Sequence, residues 1–216
     1  MAGKDRYTTI AIILHWLIAF CILWMIWIGL WMTGAIKSPD AAEKATAYQA
    51  YQFHKSLGLT ILVLSFMRLA WRLTHKPPPL AEHMPAWEKF AARATHILFY
   101  VIMIVLPLTG WIFVSTGWSF QYNTSFNVPT VYFGNDKLIV PHLPGFAAAA
   151  PAAKKAAAGL AIGVHERLAY LTLALAALHI GAALKHHVFD RDETLVHMLP
   201  FLRRKAPSAP RQQESA

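Results

Sequence analysis

Five histidines lie inside or at the edge of long apolar segments of the chain, where an ionisable side chain is costly and therefore suggests a function. They are His15, His54, His96, His165 and His179. His165 and His179 are fourteen residues apart, which is close to four helical turns. On one helix both imidazoles would therefore share a face and lie ~21 Å apart along the axis. This spacing suits a helix that holds two stacked metal-containing groups at two depths of a membrane.

The composition indicates that these histidines belong to a membrane protein. Hydrophobic residues make up 56% of the 216 residues and charged residues 14%, against roughly a quarter charged in soluble domains. Four apolar segments are long enough to cross about 30 Å of hydrocarbon: about 10–32, 54–73, 94–115 and 160–188. The first is too long and too rich in tryptophan for a cleaved signal peptide. The sequence therefore predicts an all-α integral membrane four-helix bundle of up-down-up-down topology.

The basic residues predict the orientation of this bundle. Thirteen Lys and Arg residues lie on the side of the N-terminus and seven on the other side, so both termini are expected in the cytoplasm. The domain is predicted to span 1–202, with a long outer loop at 116–159 and a disordered cytoplasmic tail at 203–216. Within the loop, the Ala-rich stretch 146–159 is expected to be a short interfacial helix or a flexible segment.

Membrane topology also explains the net charge of +9, so no nucleic-acid partner is predicted. The sequence contains neither a zinc finger nor an RNA-binding motif. The single cysteine, Cys21, excludes a disulfide within the chain and any cysteine-based zinc or iron–sulfur site.

Depth in the membrane predicts how the histidines pair. His54 shares the outer level with His165, and His15 shares the inner level with His179. Two neutral imidazoles can fill both axial positions of a haem iron, which leaves no open position and suits electron transfer rather than oxygen activation. The sequence thus predicts two haem groups, with the outer one between the second and fourth spans and the inner one between the first and fourth.

Three arginines are candidates for pairing with haem propionates. Arg68 follows His54 by fourteen residues and Arg72 comes one turn later, so both are candidates at the inner haem. Arg167, close to His165, is the candidate at the outer haem. The alternative is that the inner arginines are positively charged residues that snorkel to the membrane surface.

Two further histidine positions have open interpretations. His96 can replace His15 as a ligand, line a quinone pocket, or lie at the membrane interface with a backbone partner. His186, beside His187 at the inner end of the fourth span, can relay protons to a quinone headgroup, because imidazole titrates near neutral pH. The alternative for His186 is anchoring at the interface.

The chain resembles the bacterial cytochrome b561 family, small four-helix di-haem b proteins of the inner membrane. The resemblance covers most of residues 5–202 and rests on His15-Trp16, His54, Arg68, Arg72, Leu106-Pro107, Gly110, His165-Glu166, His179, His186-His187 and the motif Asp192, Thr194, Leu195, Met198, Pro200. It implies ligation of two haem b groups by His15, His54, His165 and His179. It also implies electron exchange with ubiquinone.

Some members of that family are similar to superoxide oxidases, which take an electron from superoxide at the periplasmic face and pass it to quinone. Basic residues on the outer side can steer an anion there: Lys37, Lys44, Lys55, Lys154, Lys155 and Arg167. The resemblance therefore makes superoxide a candidate substrate.

Two other functions are compatible with four apolar spans. The first is a cytochrome b subunit that anchors a larger redox protein, like those of hydrogenase or formate dehydrogenase, with the long outer loop as the contact. The second is a small non-redox transporter or scaffold, which leaves the four matched histidines unexplained.

Overall fold

The structure is a computed structural model that describes residues 6–81, 84–119, 124–125, 143–146, 148–199 and 202. Four helices account for most of them: α1 (Thr9–Ala35), α2 (Ala41–Thr74), α3 (Ala86–Ser115) and α4 (Pro151–Lys185). The only strands in these ranges are β1 (Trp118–Ser119) and β2 (Thr124–Ser125), an antiparallel pair of two residues each. The prediction of an all-α bundle is confirmed. Most of the predicted outer loop and the predicted tail lie outside the described residues.

All four helices are long and apolar enough to cross a membrane, so the chain is a multi-pass membrane protein. Three of them begin well before the apolar segment that predicted them, because hydropathy detects only the part of a helix that faces lipid. The helix α2 begins at Ala41, where the side chain of Asp40 accepts a hydrogen bond of 2.9 Å from the Ala42 amide and caps the helix.

The Ala-rich stretch 146–159 shows the same extension at the start of α4. From Pro151 onward it is the first part of one continuous helix, so the expectation of a separate interfacial helix or a flexible segment was wrong there. Proline suits the first helical turn, since its fixed φ matches the helix and no hydrogen bond is lost, and alanine has the highest helix propensity.

The helices form two packed pairs. Helix α1 packs along α2 and α3 packs along α4, while α2 joins the pairs by packing against α3. Buried residues of the bundle include the small Ala47 and Ala158, which are fully buried, and the larger Ile18 and Ile102. No comparable backbone packing connects α4 to α1 or α2 within the described ranges. The space between α4 and the first pair is therefore lined by side chains rather than closed by backbone contact.

The inner end of α4 changes its helical winding. Residues His186–Asp190 form a π-helical turn, and Arg191, with φ of 56°, ends it in the left-handed region. The chain then folds back onto α1, where Trp16 donates an indole N–H to the Met198 carbonyl at 2.9 Å. This return holds the segment after α4 against the inner end of the bundle.

Candidate haem sites between the helix pairs

The inner level holds His15 of α1 and His179 of α4 facing each other across the space between the helix pairs. Their ring centres are 6.2 Å apart. Two imidazoles that bind one metal ion from opposite sides have ring centres about 6 Å apart, since each metal–nitrogen bond is about 2 Å long. The spacing of this pair is therefore that of two axial ligands of one iron. Their role as ligands stays a prediction.

The outer level repeats the arrangement with His54 of α2 and His165 of α4, whose ring centres are 6.1 Å apart. The two pairs thus lie at the two depths expected from the fourteen-residue spacing on α4. The chain brings together the same partners that depth in the membrane predicted.

Hydrogen bonds orient His165 for ligation. Its Nδ1 lies 3.0 Å from the Leu106 carbonyl and 3.0 Å from the Thr109 hydroxyl, which itself donates to the same carbonyl at 2.6 Å. Because both neighbours offer acceptor oxygens, Nδ1 carries the proton and Nε2 keeps its lone pair. A backbone carbonyl or a hydroxyl commonly fixes the tautomer of a metal-binding histidine in this way.

The residues around the outer pair fit a haem group. The Nδ1 atom of His54 is buried and has no hydrogen-bond partner among the described residues, so a nitrogen of this ring is available to a bound group. A Cβ atom at Gly110 would lie 3.2 Å from Cε1 of His165. Glycine at this position therefore makes room for the imidazole, and a larger side chain would push it.

The three arginines have different surroundings. Arg68 is half-buried at the inner level, with Nη1 3.5 Å from the Ala11 carbonyl. Arg68 and Arg72 line a cavity of about 30 Å³ at the inner end of the bundle. Arg167 is exposed and donates to the Gly163 carbonyl of its own helix at 3.1 Å. The inner arginines therefore lie beside the inner histidines, whereas Arg167 turns back to α4. Their contacts with propionates stay predictions.

His186 lies in a charged cluster at the inner end of α4. Its imidazole is 8% exposed, and Nδ1 lies 2.9 Å from an Asp190 carboxylate oxygen and 2.8 Å from one of Asp192. Glu88 of α3 faces Nε2 at 3.8 Å, and Lys185 bridges Glu88 and Asp190 at 2.8 Å each. The imidazole thus has carboxylates on both sides, an arrangement that can hold and pass on a proton.

Asp192 was not singled out for this site by sequence reasoning, although it is part of the tail motif. Burial raises the pKa of its carboxyl, but hydrogen bonds from Thr194 and the neighbouring His186 outweigh burial and hold the pKa below its usual range. The contact depends on the π-helical turn, which sequence spacing does not reveal. Sequence reasoning also missed Thr109. A hydroxyl side chain inside an apolar segment, one residue before Gly110, is the feature that could have indicated it.

His96 of α3 also lies at the inner level. Its ring centre is 5.7 Å from that of His179, and Phe99, one turn further along α3, has its ring centre 5.5 Å from the same imidazole. The inner level therefore contains three histidines, an arrangement compatible with the interpretation of His96 as a replacement for His15.

Comparison with known proteins identifies the family of the chain. The family described as prokaryotic cytochrome b561 matches residues 6–201. The chain is 31% identical to cytochrome b561 homolog 2 of Escherichia coli (strain K12) over 196 residues, which is 90% of this chain and 92% of that protein. It is 30% identical to cytochrome b561 homolog 1 of the same organism over 150 residues, covering 68% and 73% of the two chains.

A probable superoxide oxidase of Yersinia pestis, CybB, is 27% identical over 198 residues, covering 90% of this chain and 96% of that protein. The family match spans nearly the whole four-helix domain, including all five membrane-depth histidines. The chain belongs to the prokaryotic cytochrome b561 family and is a membrane electron-transfer protein that binds haem b.

Proposed function

We propose that the chain binds two haem b groups, one at each level, and carries electrons across the inner membrane between the periplasmic face and ubiquinone. The observation that carries the proposal is the pair of imidazole separations, 6.2 Å for His15 and His179 and 6.1 Å for His54 and His165. Both have the spacing of two axial ligands on one iron. One histidine pair lies at the inner level and the other at the outer level of the same gap between the helix pairs.

The haem group supplies a one-electron carrier when it is bound. The protein fixes the four imidazoles on three helices, α1, α2 and α4, and orients His165 by the Leu106 carbonyl and the Thr109 hydroxyl. If His15, His54, His165 and His179 held the two irons in this way, no coordination position would be left for oxygen. These features favour electron transfer over oxygen chemistry.

We propose His186 as the residue that donates protons to the quinone headgroup. Ubiquinone takes up two electrons and two protons when it becomes ubiquinol, so its headgroup needs a proton donor near the aqueous surface. The Nδ1 atom of His186 lies between the Asp190 and Asp192 carboxylates, whose negative charges would stabilise the imidazole when it takes up a proton from water to replace the one given to the quinone. We therefore propose that ubiquinone binds at the inner end of the bundle, on the cytoplasmic side where both termini are expected.

Superoxide is the donor that the relative from Yersinia pestis suggests by its printed name. Two superoxide anions would each lose one electron and become O₂, and one ubiquinone would take these electrons together with two protons. Basic residues on the predicted outer side, such as Lys55 next to His54, would favour the approach of an anion.

Two variants test the haem assignment. His165→Ala should remove the outer haem and His179→Ala the inner one, so that each variant keeps one b-type haem per chain and the two reduced-minus-oxidised spectra add up to that of the wild type. If both variants lose the same spectral component, or if neither loses any, the two-level assignment is wrong.

The donor is tested separately with purified protein in vesicles that contain ubiquinone. The wild type should accelerate the loss of superoxide and form ubiquinol in a ratio of one for every two superoxide anions consumed. Vesicles that contain the protein but no quinone are the control. Equal superoxide loss with and without the protein would exclude superoxide as the donor, while the haem assignment would stand.

A further inference from the structure

The inner level has one more imidazole than two axial ligands require. Around His179, the ring centre of His15 lies at 6.2 Å and that of His96 at 5.7 Å. At the outer level, the described residues place a single imidazole, His54, beside His165. The two levels therefore differ in the number of side chains that can reach an iron.

His96 lies within reach of the same imidazole as His15. It lies in α3, and its ring centre is 5.7 Å from that of His179, close to the 6.2 Å between His15 and His179. A neutral imidazole carries a proton on one nitrogen and keeps a lone pair on the other, with which it can bind a metal ion. Two imidazoles are therefore at similar distances from the ring of His179.

We propose that His96 is a reserve axial ligand of the inner haem, which takes the place of His15 whenever His15 leaves the iron. This proposal rests on the proposed function, because it requires a haem between His15 and His179. An iron with an open axial position can bind O₂ or CO, whereas a second imidazole within reach closes the position. The inner haem is thereby kept in its electron-transfer form even when one ligand is lost, whereas the described residues offer the outer haem no third imidazole.

The test compares loss of His15 with and without His96. His15→Ala should keep two haems per chain, with a low-spin ferric spectrum in electron paramagnetic resonance and no CO adduct at the inner haem after reduction. The double variant His15→Ala, His96→Ala should lose the inner haem or bind CO there. Inner-haem loss or CO binding in His15→Ala overturns the proposal, as does a low-spin, CO-inert inner haem in the double variant.

Phe99 provides the matched control, because its ring lies 5.5 Å from His179 and cannot bind iron. The double variant His15→Ala, Phe99→Ala should behave as His15→Ala does. If it instead loses the inner haem as readily as the His96 double variant, His96 acts only by packing and the proposal fails.

A single variant tests the proposal without removing any of the four assigned ligands, in case His15→Ala does not assemble. In His96→Ala the reduced inner haem should bind CO several-fold faster than in the wild type, because a dissociated His15 is no longer replaced, while the outer haem should be unchanged. Equal rates would overturn the proposal. Failure of the proposed function is recognised separately, by the absence of two haems in the wild type or by His179→Ala leaving both in place.

Discussion

A methyl group added at Gly110 should crowd His165 and weaken the binding of the outer haem. In Gly110→Ala the new Cβ atom would lie 3.2 Å from Cε1 and 3.4 Å from Nδ1 of His165. The ring cannot move away freely, because its Nδ1 is held at 3.0 Å by both the Leu106 carbonyl and the Thr109 hydroxyl. Relief of the contact therefore turns the imidazole or strains these hydrogen bonds.

The expected size follows from the overpacking cost alone, because the higher helix propensity of alanine stabilises the haem-bound and the haem-free protein equally. Overpacking of a well-packed site costs about 1–3 kcal/mol. This corresponds to an increase of roughly 5-fold to 100-fold in haem dissociation, at about 1.4 kcal/mol per factor of ten.

The assay is transfer of haem from the purified protein to excess apomyoglobin, followed by its absorption. The matched control is Gly181→Ala, also in a membrane-spanning helix and two residues after His179, where a Cβ atom meets nothing within 4 Å. Haem release should be faster from Gly110→Ala and unchanged in Gly181→Ala. Equal release from both variants and the wild type would refute the packing role assigned to Gly110.

Two further predictions concern charge at the inner end. The charge of Arg68 acts on both His15 and His179, so Arg68→Gln should lower the midpoint potential of the inner haem. The expected decrease is about 40–130 mV, since a nearby unit charge contributes about 1–3 kcal/mol at an effective dielectric constant of about 20 and about 59 mV, or about 1.4 kcal/mol, corresponds to a factor of ten for one electron. A redox titration that shows no decrease contradicts it. The pKa of Asp192 is lower in the folded protein than in the unfolded chain, where it is about 3.9. The ionised carboxylate therefore stabilises the fold at a pH above about 3.9, and this stabilisation is lost as the pH falls through the pKa of the folded protein. Asp192→Asn should therefore lower the unfolding temperature in detergent at pH 7, and on acidification this temperature should fall less than in the wild type. A parallel pH dependence of the unfolding temperature in both proteins would refute this role.

Sequence reasoning located the helices and the histidine partners because both depend on simple periodicities. Apolar segments mark membrane spans, and fourteen residues between His165 and His179 place both rings on one helix face. The beginnings of α2 and α4 were not predicted, since alanine propensity and the Asp40 cap extend these helices past their apolar segments.

Contacts between elements were less predictable than positions within one element. The hydrogen bonds of His165 to Leu106 and Thr109 connect α4 to α3 and depend on how far the two helices are rotated about their axes. The approach of Asp192 to His186 at 2.8 Å depends on the π-helical turn. Sequence reasoning left the position of His96 open, because depth alone does not say which face of α3 turns inward. In the structure its ring centre lies 5.7 Å from that of His179.

The central claim, that the four paired histidines hold two haem groups, is tested most directly by measuring haem in the purified wild-type protein. Pyridine haemochrome absorption, divided by the chain concentration from amino-acid analysis, should give two haem b per chain, with a b-type reduced-minus-oxidised spectrum. One haem or none per chain in fully assembled protein would contradict the account.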